Sequence, residues 1–118
     1  MDIPDVQRIR HILMYCQWIG EAIDRFGRDV IIFCDDRDYR NTVCMMIMQI
    51  GELSNGLSEE FRQESKDDMQ WAAMRGLRNL VAHSYHKVNM ETIWKIATQD
   101  IPALRAFCEQ TIAEADNT

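Results

Sequence analysis

Apolar residues recur near the start of the chain at Ile9, Ile12, Cys16, Ile19, Ile23 and Phe26, with gaps of 3, 4, 3, 4 and 3. That alternation is the seam of a long helix packed on another helix, because residues three and four apart share one face. Asp5 is placed to cap its start and Gly27 to end it. Residues 28–36 read as the first connection, with Val30 to Phe33 as an apolar plug; a strand there would find no partner strand. A second helix is expected from about Asp38 to Asn55, with Val43, Met46, Ile47, Ile50 and Leu53 on one face. Ser58, followed by Glu59 and Glu60, starts a short helical turn through Phe61, its carboxylates at the positive end of the dipole.

A third long helix is expected to begin after Asp67 or Asp68, to carry Met69, Trp71, Met74, Leu77 and Val81, and to end near His83 or Ser84. Asn89 caps the last helix, Met90 to about Ala115, with Ile93, Ile96, Leu104, Phe107 and Ile112 inward. Pro102 lies inside it, removes one backbone donor and crowds the carbonyl of Thr98, so a kink is expected. The pattern as a whole predicts an all-α fold, an antiparallel four-helix bundle with a short extra helical turn.

With 118 residues, 47% of them apolar and 27% charged, the chain suits one globular domain over residues 1–118, and no repeat or linker divides it. The longest apolar run, Val43 to Met48, is six residues and too short to span a bilayer, so no membrane partner is expected. The start has no cationic stretch leading into an apolar one, and the expected location is cytoplasmic. Cys16, Cys34, Cys44 and Cys108 form no CxxC pair; three lie among apolar neighbours and read as reduced, structural thiols. Met45, Met46 and Met48 read as core filler, with Met45 or Met48 available to a partner.

The net charge of −6 argues against nucleic-acid binding over the whole surface, but its distribution is uneven. From Met69 to Met90 there is no Asp or Glu, while Arg75, Arg78 and Lys87 are cationic and His83 and His86 can add to them. An electropositive helix end on an acidic body suits a phosphate-bearing ligand held at one place, although basic residues near a helix C-terminus also simply offset its dipole.

Inside this segment stands Arg78-Asn79-Leu80-Val81-Ala82-His83-Ser84-Tyr85. Singly, each residue has a structural reading: an arginine capping carbonyls, a histidine packed at a helix end, a tyrosine with its ring buried and its hydroxyl wet. Together, a permanently charged fork for phosphate and an imidazole with an unperturbed pKa of about 6.5 can cleave an RNA phosphodiester through its own 2′-hydroxyl, without a metal or cofactor. On one continuous helix Arg78 and His83 point about 140° apart, so convergence needs either a turn that opens before His83 or two copies meeting across a symmetric dimer. The dimer also lets one imidazole take the 2′-hydroxyl proton while its twin protonates the 5′-oxygen leaving group. Asn79 shares the face of His83 and is placed to hold one tautomer. His83 and His86 lack further ligands nearby for a metal, and Glu52 reads as structural or solvent-facing, with a role in ordering the cleft as the alternative.

Arg78-x-x-x-x-His83-x-Tyr85 resembles the RX4HXY signature of the HEPN superfamily, and of its HepT-like toxin family in particular. Ile50-Gly51-Glu52, Leu57-Ser58-Glu59-Glu60-Phe61, Trp71, Ile93-Trp94 and Asp100-Ile101-Pro102-Ala103-Leu104 are also similar to that family, so the resemblance covers most of the chain. It implies a homodimeric, metal-independent ribonuclease toxin acting on RNA, with no DNA partner, neutralised by a minimal nucleotidyltransferase (MNT) antitoxin. Arg78 and His83 take the catalytic roles by this resemblance, Asn79 a supporting one, and Tyr85 matches the tyrosine that the antitoxin modifies with AMP. Added phosphate on Tyr85 would bring negative charge and bulk into a cationic cleft, although an interface aromatic is the plainer reading. Arg75, His86 and Lys87 extend the basic patch toward RNA, and Ser84 stands where many relatives have glycine. A catalytically silent helical module that presents substrate to a nucleotidyltransferase is the competing function, and a purely structural dimer a third.

Overall fold

The computed structural model describes residues 1–87 and 89–117, and the side chains of all of these except 84–87. Helix α1 (Ile3–Phe26) is capped by Asp2, whose carboxylate accepts from the Asp5 N–H at 2.8 Å, with Pro4 in the first turn, where a missing N–H costs nothing. Asp5 is therefore not the cap. Its carboxylate is buried and accepts from the backbone N–H (2.9 Å) and the hydroxyl (2.5 Å) of Ser58, tying the start of α1 to a distant turn. Burial pushes this carboxyl up, but the two hydrogen bonds from Ser58, one with Asp2 and the nearby Arg8 guanidinium more than offset it, leaving it below the usual range. Gly27 ends the helix at φ 123°, a conformation that glycine adopts without penalty.

The stretch expected as a connection contains a helix, α2 (Val30–Asp35), capped by Asp29, which accepts from the Ile31 N–H at 2.7 Å. Val-Ile-Ile favours a strand only where another strand can pair with it; here a local cap and one anchor, buried Phe33, decide for helix and leave Ile31 and Ile32 exposed. Helix α3 (Arg37–Gly56) starts from Asp36, which accepts from the N–H groups of Asp38 and Tyr39, and it buries Val43, Met46, Ile47 and Ile50 as the spacing predicts. Ser58 opens α4 (Glu59–Glu64), accepting from the Phe61 N–H at 3.1 Å.

The third long helix begins later than expected and is interrupted. Ser65 donates to the Phe61 carbonyl (2.7 Å) and accepts from Trp71 Nε1 (2.8 Å), so residues 65–70 turn around this hydroxyl and α5 (Trp71–Arg75) starts only at Trp71. After a single turn residue, Gly76, α6 (Leu77–Lys87) continues past His83 and Ser84, where an end was expected. Asn89 precedes α7 (Met90–Lys95) without a side-chain cap bond. A π turn, Ile96–Asp100, then leads into α8 (Ile101–Asp116). The irregularity expected at Pro102 takes this form: the widened turn sets Pro102 in the first turn of α8, where it is tolerated.

Cross-links fix the directions of the helices. Tyr39 at the start of α3 donates to the Gly27 carbonyl after α1, and Arg10 near the start of α1 pairs with Asp116 at the end of α8 at 2.6 Å. Arg75, on α5, reaches Asn55 near the end of α3. Neighbouring arms are thus antiparallel, and the chain forms an all-α bundle with α2 and α4 as short additions. Its core runs through Ile9, Ile12, Ile19, Ile47, Ile50, Ile93 and Leu104, each without solvent exposure. Among the described residues there is no strand, and no helix is long and apolar enough to cross a membrane.

Candidate functional site

Helix α6 meets α3 at Gly51. A Cβ on Gly51 would lie 2.8 Å from the Arg78 backbone nitrogen, a distance side chains do not tolerate, so only glycine lets the first turn of α6 rest on α3. The close approach sets Arg78 beside Glu52, the next residue on α3, and Arg78 Nη1 lies 2.8 Å from Glu52 Oε1. Both side chains stay wet, at 60% and 51% exposed, so the pair orients the guanidinium without sequestering it. One turn earlier Arg75 Nε donates to Asn55 Oδ1 at 3.1 Å. Two arginines are thus held in a row by two polar residues of α3.

Leu77 and Val81 face the core, which fixes the rotation of α6. Arg78 then flanks α3, while Asn79 and His83 point to solvent. Because α6 is continuous from Leu77 to Lys87, no turn opens between Arg78 and His83, and the two project about 140° apart. The opened turn expected as one route to convergence is therefore absent between Arg78 and His83. Among the described residues no hydrogen bond joins Asn79 to His83. The side chains of Tyr85, His86 and Lys87 lie outside the described residues, as does that of Ser84.

Glu52, expected as structural or solvent-facing, is solvent-facing and is also the ionic partner of Arg78. Asn55, expected only as the end of the second helix, holds Arg75. A signal for both is present: a glycine inside an apolar helix, followed by polar residues one and four positions on, marks a place where another backbone approaches.

No three His, Cys, Asp or Glu side chains gather to hold a metal ion among the described residues. The cysteines are free thiols. Burial pushes Cys16 up to about 12 and Cys44 up to about 11, and raises Cys34 and Cys108, so none is poised as a nucleophile.

A family model described as "Ribonuclease HepT-like" matches residues 12–111. The chain is 34% identical over 92 residues to a protein of Methanocaldococcus jannaschii named as an RNase, covering 70% of this chain and 84% of that one. It is 28% identical over 101 residues to a Thermococcus cleftensis protein named as a ribonuclease HepT, covering 81% and 91%. A Caldanaerobacter subterraneus protein named as an RNase is 29% identical over 96 residues, covering 81% and 83%. No solved structure matches the chain.

Proposed function

The chain belongs to the HepT-like ribonuclease family, and on that footing we propose that it is a metal-independent endoribonuclease toxin, acting as a homodimer and silenced by an MNT-type nucleotidyltransferase antitoxin. Arg78 grips the scissile phosphate and offsets the charge that builds on it. The imidazole of His83 takes the proton from the 2′-hydroxyl as that oxygen attacks phosphorus. The twin imidazole gives a proton to the 5′-oxygen as its bond to phosphorus breaks, leaving a 2′,3′-cyclic phosphate and a 5′-hydroxyl. Asn79, one turn before His83 on the same outward face, takes a supporting role beside the imidazole.

This function is supported by an exposed, pre-oriented Arg78 and an exposed His83 on one unbroken helix within an acid-free stretch. Their divergence favours a cleft completed by a second copy, since one protomer's helix cannot turn both groups onto one phosphate. In the silenced form, AMP on Tyr85 places phosphate charge two residues from His83, repelling RNA and competing for Arg78.

Total RNA incubated with the purified protein in excess chelator tests the reading. Cleavage that both Arg78→Ala and His83→Ala abolish is the expected result. No cleavage by the native chain overturns it in favour of the silent module that presents substrate to a nucleotidyltransferase. With the antitoxin and ATP, mass spectrometry is expected to find the adenylyl increment on Tyr85; an increment elsewhere refutes the switch alone.

A further inference from the structure

A groove of about 350 Å³ opens between α4 and α5, and its lining includes Glu59, Arg62, Lys66, Gln70 and Arg75. The stretch from Glu59 to Asp68 is acidic overall, with Glu59, Glu60, Glu64, Asp67 and Asp68 against Arg62 and Lys66. The fold sorts these charges by face. Both cations line the groove, and of the five acids only Glu59 does. Arg75 then adds a third positive group from the opposite wall, so the groove is cationic on a chain of net charge −6.

Two of the three cations are held in place. Arg62 Nη1 donates to the Leu57 carbonyl at 2.5 Å, and Arg75 Nε donates to Asn55 Oδ1 at 3.1 Å. Arg75 precedes Arg78 by three residues, and both reach the same edge of α3, so the groove continues the row that begins at the Glu52–Arg78 pair. No aromatic face is offered in it. Trp71 is among the lining residues but its ring is buried, with its indole N–H committed to Ser65. A site with positive charge and no stacking platform reads phosphates rather than bases.

We propose that this groove is a second RNA-anchoring site, which holds the sugar-phosphate backbone flanking the scissile link through Arg62, Lys66 and Arg75. The proposal rests on the ribonuclease reading above and extends it: RNA long enough to reach the groove binds more tightly, in a sequence-independent and salt-sensitive way.

Fluorescence anisotropy with labelled 2′-O-methyl oligouridylates of about four and about twelve nucleotides tests this, because the blocked 2′-oxygen prevents cleavage. The native protein is expected to favour the longer probe. Lys66→Gln with Arg75→Gln is expected to remove about tenfold of that preference. The logarithmic salt slope of the longer probe is expected to flatten by about 0.7 for each phosphate that is no longer neutralised. Lys66→Gln alone, at an exposed position with little bearing on folding, is expected to give part of the same change, while Arg37→Gln at the other end of α3 gives none. An unchanged preference and salt slope in both groove variants, with RNA still cleaved by the native protein, overturns the groove and leaves the nuclease intact. A native protein that binds neither probe and cleaves no RNA overturns both.

Discussion

At its first turns α3 is walled by aromatic rings, and at its last turns it faces charge and water. Tyr39 is fully buried, stacked on Phe26 at 4.8 Å, edge-on to Phe33 at 5.0 Å and to Trp94 at 6.1 Å, with its hydroxyl donating to the Gly27 carbonyl. Residues of α1, α2, α3 and α7 meet there, and the bundle is closed. Further along the same helix Gly51 brings the backbone of α6 against it, while Glu52 and Asn55 hold two arginines that remain exposed. Buried rings stabilise by several kcal/mol each, whereas an exposed ion pair contributes about 0 to 1 kcal/mol. One helix therefore differs along its length: it holds the fold together at one end and keeps two exposed arginines in place at the other.

The greatest loss of stability is expected at the aromatic end. Phe33→Ala is expected to cost about 3 to 5 kcal/mol in urea unfolding, because the ring is the one buried anchor of α2 and leaves a cavity between Tyr39 and Trp94. A cost below about 1 kcal/mol would show that the closed end does not carry the stability assigned to it.

The charged end should answer in the opposite sense. Glu52→Gln is expected to change stability by less than about 1 kcal/mol and to lower KM for RNA by about twofold to fivefold, since phosphate no longer competes with a carboxylate for Arg78. Steady-state kinetics with a short RNA substrate reads this directly. An unchanged KM would mean that Glu52 does not compete with substrate.

Where the contacts are local, the fold is legible in the sequence. The 3–4 spacing of α1 and the apolar face of α3 follow from helical period, and Gly27 and Ser58 act at the positions where a terminator and a cap are expected. What escapes depends on partners far along the chain. Asp5 is recruited by Ser58, fifty-three positions on, and so leaves the capping role to Asp2. The later start of α5 rests on Ser65 serving both Phe61 and Trp71, and nothing in periodicity marks α2 apart from its cap and Phe33. The same division holds at the site. The divergence of Arg78 and His83 is readable from helical arithmetic, while the Glu52–Arg78 pair needs the meeting of two helices at Gly51.

In the proposed homodimer two subunits share one cleft, with an imidazole from each at work. Native protein and His83→Ala, co-refolded in varying proportions at constant total concentration, test it most directly through the rate of RNA cleavage. If both imidazoles are required, activity falls with the square of the native fraction, as hybrid dimers are inactive. Activity falling in direct proportion to the native fraction would mean that each subunit cleaves alone, and would contradict the shared cleft.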